Sequence, residues 1–187
     1  PVWLNMSVNK TEIYQYDTVR FVSWWEDTIH GLTNYTFGIN QSGSWINYGP
    51  FLFSGTQNVS ENIIQITAPP GTTVAWNVTA HDNVGWNTTT PIGVQYNTTF
   101  TVQQTCNPVS GYPWNIIGNL TCNSTGDVDV SSLNVTSGAS LTLRNIKLTV
   151  GNTVVEPGGS LAIFNSKRTI WQNGNLTISG NYTLTNS

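Results

Sequence analysis

The sequence predicts an all-β protein. Three observations carry this: apolar residues alternate with polar ones along most of the chain, no stretch shows helical periodicity, and Gly, Pro and Asn turns punctuate the alternation. In residues 1–103 the alternation resolves into short strands. Val2, Leu4, Met6 and Val8 share one face of the first, with Trp3, Asn5, Ser7 and Asn9 between them. Val19 and Phe21, continuing to Ser23 and Trp25, mark a second, and Tyr35, Phe37 and Ile39 a third. Ile64 and Ile66 lie on a later strand ended by Pro69-Pro70-Gly71. Val74, Trp76, Val78 and Ala80 make the cleanest alternation, and Phe100–Val102 closes the set. Short strands with regular turns over about 100 residues predict an immunoglobulin-like β-sandwich.

Residues 104–187 predict a second β domain with a repeat of about 20 residues. Gln103–Asn115 is irregular and contains Cys106, Pro108 and Pro113. Gly138–Asn145 then matches Gly158–Asn165 at a period of 20, with shorter echoes at Gly118–Cys122 and Gly174–Ile178. The Leu residues at 120, 141, 161 and 176 are taken as equivalent, at spacings of 21, 20 and 15. One Leu-x-Leu/Ile strand per unit predicts β-helix-like rungs. A second sandwich whose hairpins begin alike is the other reading of the same pattern.

Composition excludes several functions. Charged residues make up 8% of the chain and the net charge is −3, so no basic face is available for nucleic acid. No apolar run reaches the ~18 residues of a membrane-spanning helix. The chain opens on Pro1 without a leader-like segment, as expected if a leader has been removed. Eight Trp, seven Tyr and six Phe supply a core that disordered chains lack.

Solubility without charge points to sugar. Thirteen positions read Asn-x-Ser/Thr: Asn5, Asn9, Asn34, Asn40, Asn58, Asn77, Asn87, Asn97, Asn119, Asn123, Asn134, Asn175 and Asn181. With 23 Asn and 43 Ser plus Thr in 187 residues, chance supplies roughly 5. In eight of them the central residue is apolar (Met6, Tyr35, Val59, Val78, Leu120, Val135, Leu176, Tyr182). If that residue points inward on a strand, Asn and Ser/Thr both face solvent. Covalent N-glycans are therefore expected, and no cofactor or metal. Two cysteines, Cys106 and Cys122, fit a disulfide in an oxidising compartment. Its loop of about 15 residues is worth about 3 kcal/mol in the chain-entropy model.

Chemistry-bearing groups are few. Glu26-Asp27 and His81-Asp82 could meet at one end of a sandwich, as a carboxylate pair or a calcium site. Asx turns at strand ends are the plainer role for Asp27 and Asp82. Asp127 and Asp129 share one strand face, where solvation is the plainer role than calcium. No serine sits in a Gly-x-Ser-x-Gly elbow, and only His30 and His81 are available as bases. Trp24, Trp25, Trp45, Trp76 and Trp86 are either a sugar platform or, for the most part, core. Lys10, Lys147 and Lys167 are the lysines considered for isopeptide cross-links. The chain is expected not to be an enzyme.

The run Gly71–Asn87, containing Val74-Ala75-Trp76-Asn77-Val78-Thr79-Ala80-His81-Asp82, with Thr99–Val102 after it, resembles the last strands of immunoglobulin or fibronectin-type modules in archaeal surface proteins. With the sequon density and low charge, the chain is similar to thread-type pilus subunits of thermoacidophilic archaea. The resemblance implies an extracellular, cell-surface homopolymer joined head to tail by donor-strand complementation. Both termini alternate as a donor strand must. Leu176, Ile178, Tyr182 and Leu184 are the first choice, because they follow the broken repeat without an evident internal partner. Val2, Leu4, Met6 and Val8 are the second choice. The competing expectations are a carbohydrate-binding, adhesin or S-layer module, or the non-catalytic part of a secreted β-helix enzyme.

Overall fold

The computed structural model describes residues 1–93, 98–123, 126–165, 168–171 (backbone) and 174–185. All regular structure among them is strand, and no helix there is long and apolar enough to cross a membrane. The chain divides into two compact units, Pro1–Gln103 and Gln104–Ser187.

The first unit holds β1 (Val2–Val8), β2 (Thr18–Glu26), β3 (Leu32–Ile39), β4 (Ile46–Gly55), β5 (Gln57–Gln65), β6 (Thr73–Asp82), β7 (Asn87–Thr89) and β8 (Thr99–Thr101). One antiparallel sheet has the order β1-β2-β5, the other β4-β3-β6-β7, with β8 also on β6. The two sheets close on one core as a β-sandwich. Phe21 and Trp25 come from the first sheet, Phe37, Ile39, Trp76 and Val78 from the second. The rings of Phe21 and Trp76 lie 5.0 Å apart across it.

Three strands depart from the expected pattern. In β1 the register shifts between Trp3 and Asn5. A bulge of this kind turns Trp3 toward the core and leaves Val2 and Leu4 exposed, while Met6 and Val8 stay inward. The four residues therefore do not share one face. In β5 the pattern is inverted: Ser60 and Asn62 are buried, Val59 and Ile63 exposed. Ser60 Oγ bonds Ser23 Oγ at 2.6 Å, and Trp25 Nε1 donates to Ser23 Oγ at 2.8 Å. A satisfied polar cluster is thus enclosed where an apolar stripe would be sought. β4 carries no alternation, since nearly all of it is solvent-facing.

The second unit is a parallel β-solenoid, which removes the second-sandwich alternative. It holds β9 (Pro113–Ile116), β10 (Asn119–Asn123), β11 (Asp127–Val135), β12 (Ser140–Arg144), β13 (Lys147–Val155), β14 (Ser160–Phe164), β15 (Arg168–Trp171), β16 (Leu176–Ile178) and β17 (Asn181–Thr185). One stack runs β10-β12-β14-β17; the other runs β9-β11-β13-β15, with β16 also on β13. The first stack places Leu120, Leu141, Leu161 and Tyr182 in one inward column, at spacings of 21, 20 and 21. The repeat is therefore unbroken. Leu176 is not the fourth member: it stacks on Thr153 and Leu133 on another face.

A corner divides β11 and β13. Their pairing skips from Val130/Val150 to Ser132/Asn152, so Ser131 and Gly151 sit at the bend. A Cβ on Gly151 would collide with the carbonyl oxygen of Ser131, and one on Gly174 with that of Gly151. Glycine is demanded here by close backbone stacking, not by an unusual φ. On the opposite corner Asn145 and Asn165 take positive φ (57° and 49°), which asparagine tolerates.

Candidate functional site

The two ends of the solenoid differ. At the first end Trp114, Ile116 and Cys122 point inward and are buried. The preceding segment closes over them: Trp114 Nε1 donates to Thr105 O at 3.0 Å, and Ile117 N to Gln104 Oε1 at 3.2 Å. The Cys106–Cys122 disulfide pins that segment to β10.

At the other end nothing among the described residues closes the stack. Leu176, Ile178 and Leu184 point along the same inward columns as Thr153, Val155 and Ile163. The inner three are 0% exposed, whereas Leu176, Ile178 and Leu184 are 44%, 36% and 50% exposed. Tyr182 is half-buried against the core, and this desolvation raises its phenol pKa. The outer edges of β16 and β17 carry no strand partner among the described residues. An open rung of this kind offers backbone donors, acceptors and an apolar row to another strand.

The C-terminal residues do have internal partners, contrary to the expectation that none was evident: β16 pairs in parallel with β13 and β17 with β14. Val2–Val8 likewise has an internal partner, pairing antiparallel with β2.

The described sequons are spread over both units. Of the thirteen, Asn97 lies outside the described residues; none of the other twelve is buried. Asn5, Asn9, Asn40 and Asn119 use Oδ1 as an acceptor, which leaves Nδ2 for a glycosyl bond. Asn34, Asn58 and Asn134 donate through Nδ2, to Thr33, Ser54 and Glu156 respectively. Asn58 also departs from the inward-centre rule, because its central residue Val59 is exposed. On the solenoid, Asn119, Asn123 and Asn181 flank inward residues and so project sideways, away from the axis. The face formed by 127–130 and 147–150 carries no sequon.

Trp25 and Trp76 are fully buried, so the aromatic cluster is core only in part. Trp24, Trp45 and Trp86 are exposed, and each neighbours a sequon. Trp24 lies directly between Asn5 and Val59 across the sheet. Trp86 precedes Asn87, and the Trp45 ring and Asn77 both crowd the space over Gly38.

The charged groups are mostly engaged in local structure. Lys147 pairs with Asp127 at 2.9 Å and Lys10 with Asp17 at 2.7 Å; Lys167 lies outside the described residues. Asp129 accepts from Ser110 Oγ, and Glu156 from Ser137 N. Asp27 and Asp82 each make the expected Asx turn through Oδ1, to Ile29 and His30 N and to Val84 and Trp86 N. The histidine beside Asp82 is His30, at 3.6 Å, and not its sequence neighbour His81. The His30 N–H, then the Pro1 amine, hold the Asp27 carboxyl far below the ordinary range. Arg20 lowers Glu61 likewise.

A depressed folded pKa gives stability above the unfolded pKa that is lost as pH falls through the folded one. The loss from these groups thus begins at about pH 4–5, where the unfolded carboxylates protonate, and for Asp27 it is complete only in strongly acid solution. Circular dichroism should show the fold persisting to about pH 3 or lower; cooperative unfolding centred near pH 4 would refute this.

No protein-family model matches the chain, and no curated protein matches it. Among solved structures it is similar to pectate lyase PelI from Erwinia chrysanthemi, with a TM-score of 0.31 and 10% identity. The match covers 97% of this chain and 56% of that one, so the chain spans little more than half of that enzyme's length. A likeness at this level carries no argument about activity.

Proposed function

We propose that the chain is a non-enzymatic structural subunit of an extracellular, heavily N-glycosylated surface filament whose copies join end to end through β-strand pairing. The observation that carries this reading is the apolar row of Leu176, Ile178 and Leu184 on β16 and β17, which no described strand covers, set against a closed first rung. Sugars projecting from the flanks would block lateral packing and leave that end accessible. The neighbour's contribution is an edge strand, and β4 is the matching one. It is uncharged and exposes Ile46, Phe51 and Leu52, the last at 89%. In this reading the last rung receives a strand instead of donating one.

Other features agree. The sheet order of the first unit supports an immunoglobulin-like module, as in the thread-type pilus subunits the sequence resembles. The disulfide supports an oxidising, extracellular location. Exposed tryptophans beside Asn5, Asn77 and Asn87 supply apolar surface that a glycan would cover. A binding module would need a sugar-free aromatic face, and these three tryptophans do not provide one. No cofactor takes part.

Electron microscopy of material from the native host should show fibres. Its intact mass should exceed the 20.5 kDa polypeptide by several glycans. Glycopeptide mapping should find Asn5, Asn9, Asn87, Asn119 and Asn175 occupied, with Asn58 and Asn134 the least modified. Unglycosylated monomers would overturn the proposal.

A further inference from the structure

At one end of the sandwich three ligand-bearing side chains converge. Asp27, His30 and Asp82 each place a donor atom within 4.8 Å of the other two. Asp27 directly follows β2, His30 sits in the turn after it and Asp82 ends β6. Both carboxylates are oriented by the same device. Oδ1 is held by two backbone N–H groups, at 2.9 and 3.1 Å for Asp27 and at 2.8 and 3.0 Å for Asp82. Each second oxygen, Oδ2, is left to face the cluster.

The oxygen that points to a ligand is Asp82 Oδ2. The Asp82 side chain is completely buried, and Oδ2 accepts no hydrogen bond. Its nearest counterpart is His30 Nδ1 at 3.6 Å, beyond hydrogen-bond reach. A buried carboxylate oxygen without a donor is costly unless a cation meets it. The surroundings are already fixed. Asn83 Nδ2 donates to His30 O at 2.6 Å, Asn83 N to Gly31 O at 3.2 Å, and the Trp86 edge meets the His30 ring at 5.3 Å.

We propose that Asp27 Oδ2, His30 Nδ1 and Asp82 Oδ2 bind one divalent transition-metal cation, of which Zn2+ is the reference, and so clamp the turn after β2 to the turn after β6. One imidazole and two carboxylates with an open fourth position suit zinc. Calcium takes six to eight oxygens and is poorly served by three donors, one of them nitrogen. Donors about 2.0–2.2 Å from a tetrahedral metal lie about 3.4 Å apart, so the widest gap must close by at most about 1.4 Å. His30, 29% exposed on its turn, is the most accessible of the three ligands. The Pro1 amine, 2.9 Å from Asp27 Oδ2, competes with the metal for that oxygen. None of the three ligand atoms belongs to Pro1.

The test uses the full chain, stripped with chelator and titrated with ZnCl2 by calorimetry. One equivalent should bind with micromolar or tighter affinity, and zinc should raise the first thermal transition by roughly 5 °C. His30→Gln, on a solvent-facing turn, and Asp82→Asn, which keeps the Oδ1 acceptor, should each weaken binding at least about tenfold. His81→Gln should leave it unchanged. The assignment is overturned if zinc does not bind at millimolar concentration, if His30→Gln binds as the wild type does, or if His81→Gln alone abolishes binding.

Discussion

Leu184→Arg is expected to give a folded, soluble protein that forms no fibres. Leu184 occupies the inward column above Ile163, yet half of it is open to solvent. In the free subunit the arginine can extend into water, so the cost to the fold is small, about 1 kcal/mol. In the proposed fibre the next copy's strand would cover the same position, and an unpaired guanidinium buried there costs several kcal/mol. Ile163→Arg, one rung inward and 0% exposed, is the contrast: it should unfold the solenoid outright. Leu52→Arg on β4 should also block polymerisation, from the other side of the contact. The proposed interface is heterologous, so the two single variants would be complementary. Mixed, they retain one intact contact and should form a dimer, measurable by sedimentation, that neither forms alone. If the mixture stays monomeric, β4 is the wrong partner. If Leu184→Arg still forms fibres, the last rung is not an assembly surface.

The legibility of this molecule in its sequence depends on which residues fill the inward columns. Where both faces obey the rule, as along Val74, Trp76, Val78 and Ala80, strand and orientation follow from alternation alone. β5 was only partly readable because its inward positions are the polar Ser60 and Asn62, and Ser60 is satisfied by Ser23, a residue far away in sequence. β4 has no buried face to announce it. In the solenoid the period was visible but its last member was assigned to Leu176, when the inward residue at the expected spacing is Tyr182. The aromatic substitution and the larger exposure of the end rung concealed the repeat. The Asp27–His30–Asp82 cluster was half visible. Asp27 and Asp82 stood out at strand ends, but adjacency suggested His81, whereas an antiparallel sandwich brings the turn containing His30 over Asp82. Sequence distance and sheet topology rank the two histidines in opposite orders.

The corner glycines support a second large effect, on stability instead of assembly. Gly151→Val is expected to abolish the solenoid's thermal transition while leaving that of the sandwich in place, since each unit has its own core. Any Cβ at 151 meets the carbonyl oxygen of Ser131, which belongs to the backbone of the previous rung and has no rotamer with which to yield. The rungs would have to separate at that corner. Separation would break the register on both sides, from Val130/Val150 to Ser132/Asn152. A loss above about 4 kcal/mol is the scale for strain of this kind, enough to consume much of the stability of a unit this small. The matched control is Gly138→Asn. Gly138 has positive φ (76°) but open space around its Cβ position. Asparagine tolerates such a φ elsewhere in this solenoid, so the control should cost only about 1 kcal/mol. Scanning calorimetry separates the outcomes: the argument fails if Gly151→Val melts like the control. Gly174, whose added Cβ would strike the backbone of Gly151, should behave as Gly151 does. That makes the corner column, and not left-handed backbone geometry, the feature that sets how closely successive rungs can stack.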